Sequence, residues 1–155
     1  MSALMGQKAS PFALHEAPNQ LVDVGAEFGS APIVILFFPL SFSSVCSDEF
    51  CTIRDDWKAW TDLNAKVYGI SVDSPFVTQK FRELENLPFP LLSDFNREVA
   101  TQFDALHEDL FGLKGVAKRS AFVIDREGTI VYASVSEDPG VMVDFDAIKA
   151  AVESC

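Results

Sequence analysis

The longest run of apolar residues in this chain predicts a buried strand, and the positions after it predict a helix. Residues 33–38 are β-branched, aliphatic or aromatic without interruption, which is typical of a strand covered on both faces. Pro39 ends the strand, because proline has no amide hydrogen to donate to a sheet. Apolar residues then recur at the spacing of one helix face, at Cys46, Phe50, Ile53, Trp57 and Trp60. Cys46 therefore lies at the start of a predicted helix.

Hydrophobic periodicity divides the rest of the chain into strands and helices. Strands are predicted at residues 12–14, 20–24, 66–72, 91–92, 121–125 and 129–134. Helices are predicted from 74 or 75 to about 87, and at 97–103 and 145–153. This order predicts an α/β fold with a central mixed β-sheet, flanking helices and an N-terminal β-hairpin extension. Because no stretch has the composition of a linker, residues 1–155 are expected to form a single domain.

The position of Cys46 favours the ionised form of its thiol. Unpaired amide groups and the positive end of the helix dipole stabilise an anion in the first turn of a helix. Burial on the apolar face has the opposite effect, because a charge is disfavoured in an apolar environment. A nucleophilic thiolate at this position therefore requires a cationic partner, and we expect an arginine from elsewhere in the chain.

Cys51 follows Cys46 by five residues and lies on a different side of the predicted helix. Five helical residues correspond to a rise of about 7.5 Å and a rotation of about 140°, so the two sulfur atoms point apart. A disulfide needs Cα atoms within roughly 7 Å and converging side chains, so the two cysteines can bond only if the first turns unwind. Cys51 shares its side of the helix with Asp48, Thr52 and Asp55, a position that suits a thiol waiting to react with an oxidised Cys46.

Composition argues against several classes of function. The net charge of -11 disfavours nucleic acid and anionic membranes as partners, because both require clustered Lys and Arg. The longest apolar run is about half of what a membrane span needs, and no signal-peptide pattern opens the chain, so a cytoplasmic location is expected. His15 and His107 stand apart from other ligand residues, so no metal site is predicted. Three cysteines without an export signal fit thiol chemistry better than a structural disulfide framework.

The segment before Cys46 carries a family resemblance. Residues 39–46, PLSFSSVC, resemble the P-x-x-x-[T/S]-x-x-C signature of the peroxiredoxins, the alkyl hydroperoxide reductase and thiol-specific antioxidant family. Glu49 stands where members of this family usually have Glu, and residues 90–94 resemble the family's P-L-L-S-D segment. Arg119, just before a predicted strand, matches the family's catalytic arginine. The resemblance extends from about residue 9 to residue 125.

Two subgroups of the family share features with this chain. The spacing of Cys46 and Cys51 is similar to that of Q-type members, which resemble the bacterioferritin comigratory protein and carry a resolving cysteine five residues downstream. Residues 37–40 and 91–95 are more similar to E-type members, which usually lack that cysteine. The subgroup therefore stays open at this point.

The resemblance implies a thioredoxin-like fold and a thiol peroxidase that needs no metal or organic cofactor. Cys46 is then expected to attack hydrogen peroxide or an organic hydroperoxide and become a sulfenic acid. Arg119 is expected to stabilise the thiolate and the peroxide oxygens, with Glu49 orienting it. Ser43 is expected to hydrogen-bond the thiolate and the peroxide, and Pro39 to shield the thiolate from water.

Each of these four supporting residues also has a purely structural interpretation. Ser43 is a candidate N-cap, and Pro39 is a strand terminator. Glu49 is a candidate first-turn partner of the helix dipole. Arg119 is a candidate surface residue, as an arginine at a strand end commonly is.

Several routes for the second half of the reaction remain open. Cys51 is the expected resolving cysteine, forming an intramolecular disulfide that thioredoxin or a similar dithiol protein reduces. Cys155 is an alternative resolving cysteine, which would act across a dimer. An external thiol is a further alternative. The resemblance also implies a homodimer or a larger homo-oligomer. A peroxide sensor without turnover is an alternative function. A thiol-disulfide oxidoreductase is disfavoured, because its C-x-x-C motif needs a cysteine at the position of Glu49.

Two further features are candidates for substrate or subunit contacts. Phe38, Phe42 and Phe111 are expected to line the organic part of a peroxide or a dimer interface. Residues 105–117 are irregular and rich in loop signals, so this segment is a candidate interface or substrate loop.

Overall fold

A mixed β-sheet forms the centre of the structure, a computed structural model that describes residues 3–155. Within these residues the sheet has seven strands: β1 (Ala13–Ala17), β2 (Gln20–Asp23), β3 (Ile33–Phe37), β4 (Lys66–Ser71), β5 (Leu91–Ser93), β6 (Ser120–Ile124) and β7 (Ile130–Val135). Their spatial order is β2-β1-β5-β4-β3-β6-β7. β3 runs parallel to β4 and antiparallel to β6, and β1 forms a hairpin with β2. The predicted mixed sheet and N-terminal hairpin are therefore confirmed.

Helices cover both faces of this sheet. In the described part of the chain they are α1 (Ser44–Asp55), α2 (Trp57–Asp62), α3 (Pro75–Glu85), α4 (Glu98–Gln102) and α5 (Phe145–Glu153), with a 3-10 turn at Gly25–Glu27. α3 begins after Ser74, whose hydroxyl oxygen accepts a hydrogen bond from the amide of Val77 over 3.4 Å. Of the helices described here, none has the length and apolar character that a bilayer crossing demands.

The single helix predicted over residues 46–60 is in fact two helices. Asp56 adopts φ −113° and ψ 24°, outside the helical region, and separates α1 from α2. Aspartate is a weak helix former in interior positions, and here its carboxylate accepts a hydrogen bond from Lys149 of α5. The prediction of one continuous helix is wrong, although Ile53 and Trp60 keep the buried face that the spacing predicted.

From Ile33 to Phe38, successive side chains point alternately to the two apolar layers on either face of the sheet. One layer, which includes α4, contains Ile33, Ile35 and Phe37. The other layer, which includes α1 and α5, contains Val34, Leu36 and Phe38. All six side chains are fully buried, which explains why this stretch is apolar at every position instead of alternating.

The register between β3 and β6 brings the predicted site residues to one end of the sheet. Phe37, the last residue of β3, pairs with Ser120, the first residue of β6. Pro39 follows β3 closely and Arg119 directly precedes β6, so both lie at this end. Because α1 also starts there, Cys46 and Arg119 come into contact although 73 positions separate them in the chain.

Candidate active site

A buried guanidinium lies against the thiol of Cys46. Arg119 Nη2 donates a hydrogen bond to Cys46 Sγ over 3.2 Å. Arg119 is 1% exposed and Cys46 is 0% exposed. A hydrogen bond from a cation favours negative charge on the sulfur. Arg119 is therefore the arginine partner that we expected for the Cys46 thiolate. Because its side chain is buried, the interpretation of Arg119 as a surface residue is wrong.

Two further acceptors hold the guanidinium in place. Arg119 Nη1 donates to Glu49 Oε1 over 2.6 Å, and Arg119 Nε donates to the carbonyl oxygen of Pro139 over 3.1 Å. Each nitrogen of the planar fork thus has its own acceptor, which fixes the orientation of the group. Burial acts against the charge of Arg119, but Glu49 and Cys46 more than offset it and raise the pKa of the guanidinium.

Glu49 is completely buried in the second turn of α1. Burial raises the pKa of this carboxyl to about 7, and the nearby charge and hydrogen bonds of Arg119 only partly oppose the shift. Its second oxygen, Oε2, has no hydrogen-bond partner among residues 3–155. Because Glu49 lies beyond the first turn, its interpretation as a partner of the helix dipole is wrong, and its contact is the one expected with Arg119.

Ser43 directly precedes α1 but does not cap it through its side chain. Its hydroxyl donates to the carbonyl oxygen of Leu40 over 2.9 Å instead of accepting from an amide of the helix. Ser43 therefore occupies the predicted N-cap position, with extended backbone angles, but its hydroxyl makes no capping hydrogen bond. The bond closes a turn in which Phe42 adopts φ 70°, a conformation that is unfavourable for a bulky side chain. Strain of this kind persists only where the surrounding contacts enforce it.

Asp73 is one of those contacts and was not predicted from the sequence. Its Oδ2 accepts hydrogen bonds from the amide of Ser41 and from the hydroxyl of Ser71, both over 2.7 Å. The carboxylate thereby ties the turn before α1 to the end of β4. The available signal was a polar residue just after a buried strand, at the sheet end where α/β proteins place their sites.

A pocket of about 450 Å³ opens beside Arg119. Its walls come from the turn before α1, the first two residues of α1, the segment before β6 and the loop after β7. The lining residues are Pro39, Leu40, Ser43, Ser44, Val45, Leu110, Phe111, Leu113, Arg119, Asp138, Pro139 and Gly140. Cys46 is not part of this lining, but its neighbours Ser44 and Val45 are, and Arg119 both lines the pocket and donates to Cys46 Sγ. Residues 105–117 thus border the site through three apolar side chains.

The three phenylalanines singled out in the sequence occupy different surroundings. Phe111 lines the pocket and is 88% exposed. Phe38 is fully buried beneath α1, with its ring centroid 4.7 Å from that of Phe50, so the expectation that it lines a substrate or subunit contact is wrong. Phe42 is half-exposed outside the pocket lining and packs on Phe81, with 5.1 Å between ring centroids.

The other two cysteines have neighbours of a different kind. Cys51 Sγ donates to Glu85 Oε2 of α3 over 3.3 Å, and Cys155 Sγ donates to the carbonyl oxygen of Ala151 over 3.3 Å. Burial, followed by the hydrogen bond to Glu85, raises the pKa of the Cys51 thiol. All three cysteines are free thiols, and α1 is an intact helix between Cys46 and Cys51.

Metal-ligand residues are scattered over the fold. In the part of the chain that the structure describes, no group of three or more His, Cys, Asp or Glu side chains is arranged to hold a metal ion. His15 lies in β1, and His107 is buried in the loop before β6.

Residues 5–133 match the family described as the AhpC/TSA family. A putative peroxiredoxin of Mycobacterium tuberculosis is 37% identical over 131 residues, covering 83% of this chain and 82% of the relative. A chloroplastic 2-cysteine peroxiredoxin of Chattonella marina var. antiqua is 33% identical over 146 residues, covering 88% of this chain and 72% of the relative. The crystal structure of peroxidoxin BcpB from Mycobacterium tuberculosis superposes with a TM-score of 0.85 at 27% identity, covering 99% of this chain and 98% of that one.

These similarities bear on both the fold and the family. Superposition over nearly the full length confirms the thioredoxin-like fold that the resemblance implied. Similarity to a BcpB protein favours the subgroup related to the bacterioferritin comigratory protein over the E-type alternative. The chain therefore belongs to the AhpC/TSA family and is a peroxiredoxin, a thiol peroxidase of the type related to the bacterioferritin comigratory protein.

Proposed function

We propose that Cys46 is the nucleophile that reduces hydroperoxides. The observation that carries this proposal is the 3.2 Å hydrogen bond from Arg119 Nη2 to Cys46 Sγ inside the protein. Of the three cysteines, Cys46 combines a helix start with a cationic partner, and both favour a thiolate. Cys51 has a carboxylate as its neighbour instead.

The oxidation step requires no additional redox group. The thiolate of Cys46 attacks the terminal oxygen of the hydroperoxide, a sulfur–oxygen bond forms and the oxygen–oxygen bond breaks. Sulfur is oxidised by two electrons to a sulfenic acid, and the peroxide is reduced to an alkoxide or hydroxide. That leaving oxygen takes a proton from water and departs as an alcohol or as water.

Arg119 is the proposed electrostatic catalyst of this step. Negative charge moves from sulfur to the leaving oxygen, and a guanidinium beside both atoms stabilises that charge throughout. Because Glu49 and the Pro139 carbonyl hold the fork in position, little reorganisation is needed when the peroxide binds. Glu49 is therefore a proposed positioning residue that acts through Arg119.

Pro39 and Ser43 are proposed to organise the space in which the peroxide binds. Pro39 is buried at the edge of the pocket, where its ring excludes water from the thiolate. The Ser43 hydroxyl is held by the Leu40 carbonyl and lines the same pocket, so rotation about its side-chain bond lets it donate to a bound peroxide. Both proposed roles are those that the family resemblance implied.

The substrate class we propose includes both hydrogen peroxide and organic hydroperoxides. The peroxide group binds at Arg119, whose guanidinium can donate hydrogen bonds to its oxygens. The apolar side chains of Leu110, Phe111 and Leu113 line the same pocket and offer a surface for a hydrocarbon substituent. Residues 105–117 are accordingly proposed as a substrate loop.

Cys51 is the proposed resolving cysteine. Its thiolate attacks the sulfur of the Cys46 sulfenic acid, a disulfide forms and the sulfur–oxygen bond breaks, and the departing hydroxide becomes water on protonation. Thioredoxin or a similar dithiol protein then reduces the disulfide. The spacing of the two residues in α1 means that part of this helix unwinds during the step.

The remaining proposals concern the context of the enzyme. Family membership supports a peroxide substrate, a thiol reductant and an oligomer, and we propose a homodimer or larger homo-oligomer in the cytoplasm. We also propose that residues 1–155 form one domain, which is supported by a single sheet with apolar layers on both faces.

Replacing Arg119 is expected to impair the first chemical step. Arg119→Ala removes the donor to sulfur and to the leaving oxygen, so kcat/KM for hydrogen peroxide should fall by about 100- to 1,000-fold. The measurement is peroxide consumption with dithiothreitol as the reductant, alongside the exposed control Arg126→Ala. A kcat/KM of Arg119→Ala within threefold of wild type would contradict the proposed role.

The raised pKa of Glu49 predicts how stability depends on pH. A carboxyl with a raised pKa binds its proton more tightly in the folded protein than in the unfolded chain, so protonation stabilises the fold. This contribution is complete below the ordinary value of 4.5 and is lost as the pH rises to about 7. Between pH 5 and pH 8, the free energy of unfolding of wild type should therefore fall relative to Glu49→Gln by about 2 kcal/mol.

Urea unfolding at several pH values measures this difference. The exposed neighbour Asp48 offers a matched control, and the same measurement on Asp48→Asn reports the effect of removing a carboxylate from the surface of α1. A gap between wild type and Glu49→Gln that stays constant or moves in the other direction would show that burial does not control this carboxyl.

The variants Cys51→Ser and Cys155→Ser form a matched pair that identifies the resolving cysteine. After one equivalent of hydrogen peroxide, wild type and Cys155→Ser should contain the Cys46–Cys51 disulfide, because the resolving thiol is intact in both. Cys51→Ser should instead retain a sulfenic acid on Cys46. Peptide mapping without reduction, after free thiols have been blocked, distinguishes these products. Loss of the disulfide in Cys155→Ser, or its absence from wild type, would rule out Cys51.

A further inference from the structure

The thiol of Cys51 is held by a residue of a neighbouring helix. Cys51 lies within α1, and its Sγ is 3.3 Å from Oε2 of Glu85, the last residue of α3. Both side chains are partly buried, and the Glu85 side chain is 31% exposed. This distance is that of a hydrogen bond from a thiol to a carboxylate. Breaking it has a cost because both groups are partly shielded from water.

Arg54 fixes the position of Glu85 from the same helix that carries Cys51. Arg54 Nη1 donates to the carbonyl oxygen of Glu85 over 2.5 Å and lies 3.8 Å from Glu85 Oε2. Arg54 follows Cys51 by three residues, so both project toward the end of α3. We call Cys51, Arg54 and Glu85 the α1–α3 latch.

The charges around this thiol favour its protonated form. A thiolate at Cys51 would face the carboxylate of Glu85, and Asp55 adds a second negative charge nearby. Burial is the largest cause that raises the pKa of Cys51, the hydrogen bond to Glu85 is the next, and Arg54 opposes them only in part. Within the intact helix, Cys51 is therefore a thiol engaged as a donor.

The latch exists only while α1 is helical. Cys46 Sγ contacts Arg119, whereas Cys51 Sγ contacts Glu85, so the two sulfurs face different neighbours. A disulfide requires the Cα atoms to approach within about 7 Å with converging side chains, which the intact helix does not permit. The contact of Cys51 with Glu85 is thus present before the resolving step and lost on the way to it. An interaction that is stronger in the ground state than in the transition state raises the barrier.

We infer that Glu85, held by Arg54, is a positioning residue that restrains Cys51 and slows formation of the Cys46–Cys51 disulfide. This inference rests on the proposed function, in which Cys51 resolves the sulfenic acid. When α1 unwinds, Cys51 leaves Glu85, loses its proton to solvent and attacks Cys46 Sγ. The sulfur–sulfur bond forms, the sulfur–oxygen bond breaks and hydroxide leaves to become water. One sulfur is formally oxidised and the other reduced by equal amounts, so no further reagent is consumed.

The latch sets the lifetime of the sulfenic acid, and kinetics measure that lifetime. Glu85→Gln removes the charge, and Glu85→Ala removes the acceptor altogether. The test treats reduced wild type and both variants with one equivalent of hydrogen peroxide, quenches with acid at increasing times, blocks free thiols and quantifies the disulfide by peptide mapping. The matched control is Glu83→Gln on the same helix, since Glu83 is exposed and lies 3.8 Å from Lys80.

We expect disulfide formation to be roughly three- to tenfold faster in both Glu85 variants, because a hydrogen bond to a charged group is lost. The rate of Cys46 oxidation and the behaviour of Glu83→Gln should match wild type. In the reduced variants, alkylation of Cys51 should also reach half of its maximal rate at a lower pH. A general loosening of α1 would also expose Cys51 and lower this pH, so the helix content of the reduced variants is measured by circular dichroism. Helix content equal to that of wild type, together with the shift, assigns the effect to the contact with Glu85.

Two results would overturn the inference, and they are distinguishable. If wild type forms the disulfide and both Glu85 variants form it at the same rate or more slowly, the latch does not restrain Cys51, while the proposed reaction cycle stands. If wild type forms no Cys46–Cys51 disulfide, the proposed resolving role fails and the latch fails with it.

Discussion

The buried guanidinium of Arg119 is the group on which the rest of the site depends. Removing an arginine charge from water costs several kcal/mol unless good acceptors replace the lost hydration. Here the acceptors are Cys46 Sγ at 3.2 Å, Glu49 Oε1 at 2.6 Å and the Pro139 carbonyl at 3.1 Å. They come from α1 and from the loop after β7, while Arg119 itself precedes β6. The charge is therefore satisfied only when these parts of the fold have assembled, and the same assembly creates the environment of the thiol.

One helix carries two thiols in opposite electrostatic surroundings. Cys46 faces a cation, which favours a thiolate, whereas Cys51 faces the carboxylate of Glu85, which favours a thiol. In the proposed cycle this difference separates the cysteine that reacts first from the one that waits. In that cycle, unwinding of α1 removes Cys51 from Glu85 and brings it to Cys46. The stability of α1 and the rate of disulfide formation are then coupled. Asp73 ties the turn before α1 to the end of β4.

Most of the fold and the position of Cys46 were predictable because they depend on local patterns. The uninterrupted apolar run of β3 indicated a central strand, and the helical spacing after it placed Cys46 at a helix start. Arg119 and Glu49 were identified through the resemblance to the peroxiredoxins. Tertiary contacts outside the residues of the family resemblance were not predictable. Pro139 contributes a backbone oxygen, and every residue type has one, so the sequence does not single it out. Glu85 contacts Cys51 although 34 positions separate them in the chain. Asp56, where the helix breaks, contacts Lys149 of α5, a residue that the local helical spacing does not include.

The most direct test of the central claim is the identity of the first cysteine that peroxide oxidises. Wild-type protein is treated with substoichiometric hydrogen peroxide in the presence of a dimedone-type reagent, and the labelled peptides are quantified by mass spectrometry at early times. If the buried contact with Arg119 makes one thiol reactive, the label appears on Cys46 and is nearly absent from Cys51 and Cys155. Label spread over the three cysteines in proportion to their exposure, with the exposed Cys155 first, would contradict the account.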